Sequence, residues 1–207
     1  MEVENERNEN GSKVIFIGDA SVGKTSIIYK YVKKEFNENY QSTIGADLYY
    51  KEVKLDKESV KLIIWDTSGQ ERYNSLINSY FRGSRGCFIV YDISDRNSFD
   101  NLEKKFDLVR DYANEDVKII LVGNKNDLEG QRKVKTEEGK NFAEKMACPF
   151  FETSAKNNEN IDEIFKLMSK KIYESSENPQ ILKEIKKVTL NEHSSENIVI
   201  EKKGCCS

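Results

Sequence analysis

One glycine-rich stretch constrains this chain more than any other feature. It follows an apolar run at residues 14–17 and precedes a helix-compatible segment at residues 26–33. A loop between a strand and a helix directs backbone N–H groups and the positive end of the helix dipole at one point, where an anion can bind. An ordinary glycine turn is the alternative, but the fixed positions and their context favour a phosphate-binding loop. The stretch is Gly18-Asp19-Ala20-Ser21-Val22-Gly23-Lys24-Thr25.

The residue types in this loop suit phosphate binding. Gly18 and Gly23 allow the backbone to curl tightly. Lys24 would reach the terminal phosphates, and the Thr25 hydroxyl is placed to ligate Mg²⁺. The sequence therefore predicts nucleotide contacts from the loop and the first helical turn, at Asp19, Ala20, Ser21, Val22, Gly23, Lys24, Thr25 and Ser26.

Length, charge and cysteine usage limit the class of protein. The chain has 207 residues and a formal net charge of −3, with acids and bases interspersed, so we expect one domain and no nucleic-acid partner. No apolar run approaches the roughly 18 residues of a membrane-spanning helix, and the start lacks signal-peptide features, so a cytosolic protein is expected. Cys87 and Cys148 lie in apolar stretches and are predicted to be core residues rather than a disulfide.

Strand and helix signals alternate along the chain, which predicts an α/β fold. A hairpin at residues 46–65 is followed by strand signals that are each succeeded by a helical segment. We expect a single domain with a six-stranded, mostly parallel sheet, one antiparallel edge strand and helices on both faces, and ligands at the carboxyl ends of the strands. The strands are predicted at 14–17, 46–55, 60–65, 86–91, 117–122 and 149–151, and the helices at 26–33, 98–112, 136–146 and 161–173.

The ends of the chain differ from its centre. Residues 1–12 are polar and are predicted to form a flexible arm, residues 13–174 the domain, and residues 175–207 a flexible tail. Pro179 breaks any continuing helix. Between Ser175 and Gly204 five lysines are balanced by five glutamates, so no polybasic patch is available to bind an anionic membrane.

A second motif ends the hairpin. Asp66 is positioned to hold Mg²⁺, and Gly69 can offer its backbone N–H to a terminal phosphate. Gln70 is the candidate for orienting an attacking water, whereas a lone loop glutamine would otherwise be an ordinary solvated residue.

A third motif, Asn124-Lys125-Asn126-Asp127, follows an apolar run and indicates base selection. The Asp127 carboxylate can accept hydrogen bonds from the N1–H and the exocyclic amino group of guanine, which adenine does not offer. Alone, the motif would be an ordinary Asn/Asp turn, but the phosphate-binding loop makes guanine recognition the better interpretation. A fourth motif after the last strand could contact the guanine O6 and pack beside the base; its expected contacts are Ser154, Ala155 and Lys156.

These four motifs, in this order and spacing, make the chain resemble a small GTPase of the Ras superfamily over residues 13–173. Segments 40–47, 61–73 and 80–84 resemble the Rab branch, the membrane-traffic regulators. The resemblance implies that Thr43 ligates Mg²⁺ when the γ-phosphate is present, that Phe36 and Tyr40 contact the nucleotide, and that Gln70 is catalytic. Residues 36–45 and 68–79 would be the moving segments.

The activity implied is slow GTP hydrolysis with Mg²⁺, at about 10⁻⁴ to 10⁻³ s⁻¹ unaided and up to ~10⁵-fold faster with a GAP. Further implied partners are an exchange factor, effectors and a prenyl-binding chaperone, with the chain itself a monomer. The only histidine, His193, lies in the tail, so no Ser-His or Cys-His nucleophile can be assembled in the domain.

Some positions depart from the Rab pattern. A methyl group at Ala20 can crowd the attacking water or a GAP residue, so a catalytically idle guanine-nucleotide-binding scaffold is the alternative function. Leu48 replaces a phenylalanine in an aromatic trio read by effectors, whose other members here would be Trp65 and Tyr80. A metabolic P-loop kinase would need an arginine-rich lid and a second-substrate site, which the sequence does not contain.

The chain ends Gly204-Cys205-Cys206-Ser207, which is not a C-a-a-X box. It resembles the paired-cysteine ending of Rab proteins, in which Cys205 and Cys206 would be geranylgeranylated; a metal-binding or free thiol pair is the alternative. Two lipids on a tail without a basic patch would suffice for membrane attachment. The resemblance thus implies the cytoplasmic face of an endomembrane, with the Golgi-associated branch most similar, and a cytosolic GDP-bound pool.

Overall fold

A computed structural model of the chain describes residues 11–36, 46–56, 58–67 and 79–176. The described residues up to 172 form one compact unit, and of a second unit, which begins at residue 173, only the end of the last helix is described. Within the described ranges, no helix is both long and apolar enough to cross a membrane.

Six strands form a single sheet in the order β2-β3-β1-β4-β5-β6. The hairpin strands β2 and β3 pair antiparallel, and every other pair of neighbours is parallel. The predicted mostly parallel sheet with one antiparallel edge strand is therefore confirmed. The strands are β1 (Ser12–Ile17), β2 (Ala46–Lys54), β3 (Ser59–Thr67), β4 (Ser84–Asp92), β5 (Lys118–Asn124) and β6 (Phe150–Thr153).

Helices alternate with the strands as the periodicity predicts, with one correction. The single helix predicted at 98–112 is two helices, which meet at Asn101. The first begins at residue 96 because the Asp95 side chain accepts a hydrogen bond from the Asn97 N–H, a favourable N-cap. The helices are α1 (Lys24–Lys33), α2 (Arg96–Asp100), α3 (Leu102–Tyr112), α4 (Thr136–Lys145) and α5 (Ile161–Ser176), with a 3₁₀ helix at Asn126–Gln131.

The core lies on both faces of the sheet because successive strand side chains alternate between the faces. On one face, Ile15 and Ile89 are buried in a cluster with residues of α3. On the other, the rings of Phe16 and Phe88 stack with their centroids 4.5 Å apart, and Phe165 of α5 packs 5.2 Å from Phe88. The central strands are therefore packed from both sides.

The strand order places one loop in a special position. The chain leaves β1, builds β2 and β3 on one side of it and then crosses to β4 on the other side. Loops on either side of such a reversal diverge and leave a crevice at the carboxyl ends of the strands. The loop after β1, residues 18–23, lies at this reversal of the strand order.

Candidate nucleotide-binding site

The loop after β1 has backbone conformations that only glycine adopts easily. Gly18 has φ 145° and Gly23 has φ 95°. A Cβ atom at Gly18 would lie 2.1 Å from the Val90 carbonyl oxygen, and one at Gly23 would lie 2.3 Å from Nδ2 of Asn124. Both glycines are therefore needed for dihedral angle and for space, as the sequence predicts.

Lys24 bends back over the loop that precedes it. Its Nζ donates to the carbonyl oxygens of Gly18 at 2.7 Å and Asp19 at 2.8 Å. The side chain is 5% exposed, so its ammonium group is held at a defined point near the N-terminus of α1. A fixed cation at a helix N-terminus provides the electrostatic environment that a phosphate requires.

Two oxygen ligands suited to Mg²⁺ lie at this end of the sheet. Asp66 is fully buried near the end of β3, in register with Phe16 of β1, and Thr25 is buried in the first turn of α1. The Thr67 hydroxyl donates to the Phe16 carbonyl at 2.6 Å and holds β3 to β1. A carboxylate and a hydroxyl are the hard oxygen donors that Mg²⁺ prefers, so the residues present fit this ion.

At the other end of the site, Asn124 joins three segments. Its Nδ2 donates to the Val22 carbonyl of the phosphate-binding loop at 2.9 Å, and its Oδ1 accepts from the Thr153 hydroxyl at 3.1 Å. Asn124 is 1% exposed, so both hydrogen bonds are made away from water. The phosphate-binding loop, β5 and β6 are thereby connected through a single side chain.

The Asp127 carboxylate is held by the segment after β6. The Ser154 hydroxyl donates to its Oδ1 at 2.6 Å, and the Ser154 oxygen in turn accepts from the Asn157 N–H at 2.9 Å. Ala155 is buried, whereas Lys156 is exposed. One carboxylate oxygen is thus oriented by the protein, as selective recognition of a base edge requires.

A buried carboxylate that the sequence analysis did not identify supports Lys125. Asp92, the last residue of β4, pairs through Oδ2 with the Lys125 ammonium at 2.6 Å. Its Oδ1 accepts from the backbone N–H and the hydroxyl of Ser94. Lys125 has φ 65°, so this ion pair accompanies an uncommon backbone conformation for a lysine. The signal in the sequence was an acidic residue directly after an apolar strand.

The remaining predicted contacts have varied settings. Ala20 and Ser21 are exposed, Val22 is buried and Ser26 is half-buried. Phe36 lies just beyond α1 and is half-buried. Six predicted site residues lie outside the described residues, namely Tyr40, Thr43, Gly69, Gln70, Cys205 and Cys206.

The predicted effector trio lies on one side of β2 and β3. Leu48 is 45% exposed and stands opposite Trp65 in the strand register. The Tyr80 ring meets Trp65 edge-on with centroids 6.1 Å apart. The Lys13 ammonium lies 3.9 Å from the centroid of the Trp65 ring, a cation–π contact.

Sequence reasoning also missed side chains that contact the phosphate-binding loop and strand β6 from distant parts of the chain. Asp19 accepts from Lys105 and Asn101 at the start of α3. Arg132 makes a bidentate pair with Glu152, at 2.7 and 2.9 Å, just before the segment that carries Ser154. Neither pair belongs to a short motif, because the partners are far apart in sequence.

The fold and the glycine-rich loop define a P-loop protein. The sequence profile of the Ras family matches residues 13–174. Ras-related protein Rab-11B of Dictyostelium discoideum is 47% identical over 163 residues, covering 79% of this chain and 74% of the relative. Ras-related protein RABD2b of Arabidopsis thaliana is 43% identical over 157 residues, covering 76% of this chain and 78% of the relative. Ras-related protein SEC4 of Saccharomyces cerevisiae is 38% identical over 170 residues, covering 82% of this chain and 79% of the relative.

The chain therefore belongs to the Ras family and, within it, to the Rab branch of small GTPases. It is a GTP-binding switch that hydrolyses GTP to GDP and regulates vesicle traffic. The predicted GTPase activity is confirmed, and the idle-scaffold alternative finds no support. Family membership also implies regulators and effectors in general.

Proposed function

We propose that the guanine nucleotide lies along the carboxyl edge of the sheet, with its phosphates on residues 18–25 and its base against Asp127 and Ser154. The observation that carries this assignment is the 2.9 Å hydrogen bond from Asn124 to the Val22 carbonyl. It ties the motif suited to phosphate directly to the motif suited to guanine. One ligand that has both chemical groups can then contact both motifs.

Hydrolysis requires groups on both sides of the terminal phosphate. Lys24 and the loop N–H groups would bind the phosphates, and Gln70 would orient the attacking water. Thr25, Asp66 and, in the GTP state, Thr43 would hold Mg²⁺, which supplies positive charge to offset that of the phosphates. Phe36, Tyr40, Gly69, Ala155 and Lys156 would complete the contacts to the nucleotide.

The switch would act at a membrane. We propose that Cys205 and Cys206 carry prenyl groups, and that a prenyl-binding chaperone keeps a GDP-bound pool in the cytosol. An exchange factor would load GTP at the cytoplasmic face of an endomembrane, the Golgi being the first candidate, and a GAP would reset the monomeric switch. Membership of the Rab branch, with relatives named Rab-11B and SEC4, supports this proposal.

Single-turnover hydrolysis of GTP in Mg²⁺ tests the assignment of Gln70. We expect wild type to cleave GTP at about 10⁻⁴ to 10⁻³ s⁻¹, and the Gln70→Leu variant to bind GTP equally but not cleave it, because the attacking water is no longer oriented. Gln131→Leu changes an exposed glutamine elsewhere in the domain and should cleave GTP at the wild-type rate.

Two further conditions complete the experiment: ATP in place of GTP, and EDTA to remove Mg²⁺. We expect ATP not to bind, and removal of Mg²⁺ to lower GTP affinity and stop cleavage. Equal cleavage by wild type and Gln70→Leu would remove Gln70 from the mechanism, and equal binding of ATP and GTP would contradict the base assignment.

Membrane flotation of prenylated protein tests the tail. Replacing both Cys205 and Cys206 by serine should abolish flotation, whereas Cys148→Ser should not affect it. Flotation of the double-serine variant would overturn the lipid assignment.

A further inference from the structure

A lysine occupies a position in α3 where an apolar residue would be expected. The buried residues of this helix are Leu102, Lys105, Phe106 and Val109, which lie on one helical face. Lys105 is 7% exposed. Burying a lysine is costly unless its charge is paired, so the position calls for a specific partner.

The partner is the acidic residue of the phosphate-binding loop. The Lys105 ammonium lies 2.9 Å from Asp19 Oδ1, and the Asn101 carboxamide donates to Oδ2 at 2.8 Å. Both carboxylate oxygens are thus held from the start of α3, at the junction where α2 and α3 meet. Burial alone would raise the pKa of Asp19, but the hydrogen bonds from Lys105 and Asn101 outweigh it and hold this pKa below its usual value.

Asp19 also lies close enough to the phosphate-binding lysine to interact with it. The Lys24 charge contributes to the lowered pKa of Asp19, and the Lys24 ammonium contacts the Asp19 carbonyl oxygen at 2.8 Å. Without Lys105, the Asp19 carboxylate would attract the Lys24 ammonium and would repel the phosphates of a nucleotide.

We propose that Lys105 is a positioning residue for nucleotide binding. It neutralises the charge of Asp19, so that the loop keeps its conformation and the Lys24 ammonium is available to bind the phosphates. The inference rests on the proposed placement of the phosphates on residues 18–25. Asn101 supports the same carboxylate but brings no charge, so it cannot replace Lys105.

The release rate of bound GDP, measured with a fluorescent analogue in excess Mg²⁺, tests this role. In Lys105→Met, which keeps most of the side-chain volume, we expect release about tenfold faster, because removing one partner of a largely buried pair leaves the other charge uncompensated. Arg110→Met removes a cation from the same helix, at a side chain that is 70% exposed, and should release GDP at the wild-type rate.

Rescue separates charge neutralisation from simple packing. The double variant Lys105→Met with Asp19→Asn should release GDP within about threefold of wild type, because the repelling carboxylate is gone. Lys105→Gln, which removes the charge but keeps a side chain that can donate a hydrogen bond to Asp19, should also release GDP faster than wild type. Retention of fast release in the double variant, or wild-type release in Lys105→Met, would overturn the inference.

Two further outcomes are distinguishable. If Lys105→Met does not fold by circular dichroism, Lys105→Gln decides the question, since release at the wild-type rate in that variant contradicts the proposed charge effect. A wild-type chain that takes up no guanine nucleotide overturns the proposed function and the inference with it, whereas normal GDP binding with no effect at Lys105 overturns the inference alone.

Discussion

The two ends of the candidate site are built differently. The phosphate end is a backbone structure, in which two glycines with positive φ bend the loop and one lysine spans it. The base end is a network of side chains, in which Asn124, Thr153, Asp127 and Ser154 are hydrogen-bonded to one another in pairs. The difference matches the ligand chemistry that we propose for each end: every nucleotide has phosphates, whereas oriented polar side chains can distinguish one base from another.

The largest effect is expected at the base end. Asp127→Ala should lower GDP affinity by ~10⁴-fold, because the two hydrogen bonds that distinguish guanine are lost while Ser154 loses its acceptor. Equilibrium binding of GDP and ADP measures both the loss and the selectivity. Asp107→Ala, an exposed aspartate of α3, is the matched control. Unchanged preference for GDP over ADP in Asp127→Ala would show that the base end does not select the base.

The next largest effect is expected from removing the Asn124 side chain, which connects the two ends. Asn124→Ala leaves the buried Val22 carbonyl and Thr153 hydroxyl without their partner, at a cost of about 3 kcal/mol in the free energy of unfolding. Urea unfolding at a fixed GDP concentration gives this value. Thr153→Val removes only one of the two hydrogen bonds and should cost about half as much. If Asn124→Ala is no less stable than the exposed control Asn114→Ala, the ends are independent.

A smaller effect is expected from weakening the pair between Arg132 and Glu152, which lies next to the base end. Glu152→Gln weakens the bidentate pair with Arg132 and should cost about 2 kcal/mol in unfolding free energy, since hydrogen bonds to charged groups contribute roughly this much. Glu129 also pairs with Arg132 but is 70% exposed, so Glu129→Gln should have little effect. Thermal unfolding in saturating GDP compares them, and equal shifts would show that burial does not distinguish the two pairs.

The smallest effect is a pH dependence at the phosphate end. Because the pKa of Asp19 is lowered in the folded protein, its ion pair stabilises the fold fully above the ordinary aspartate pKa of about 4, and this contribution is lost as the pH falls through the folded value. The stability difference between wild type and Asp19→Asn should therefore be constant near neutral pH and shrink below about pH 4. Urea unfolding across that range measures it; a difference that grows on acidification has the wrong sign.

The sequence predicts the motifs at both ends of the site but not the tertiary contacts that support them. Residues 18–25 form a contiguous motif because local backbone geometry determines the loop, so the position of the loop and its need for glycine could be predicted. Asp127 and the segment at 154–156 were likewise found as motifs, and the parallel sheet predicted that they would meet. The contacts of Lys105 with Asp19 and of Arg132 with Glu152 could not be found, because they depend on which side chains from distant segments face each other after folding.

The split of the predicted helix at 98–112 was also not predicted. The apolar spacing continues through Asn101, so periodicity alone indicates one helix. Asn101 makes its side-chain hydrogen bond to Asp19, a tertiary contact that the local pattern does not encode.

The Asn124 hydrogen bonds also have a consequence for biosynthesis. They join Val22 to Asn124, 102 positions later, and Asn124 to Thr153, 29 positions further on. A ribosome therefore completes the phosphate-binding loop long before it makes the strand that finishes the base end. Until β6 has emerged, a nascent chain lacks Thr153 and Ser154, which hydrogen-bond to Asn124 and Asp127, and GDP can stabilise by mass action only a chain in which its site has formed. Ligand binding thus distinguishes finished domains from truncated ones.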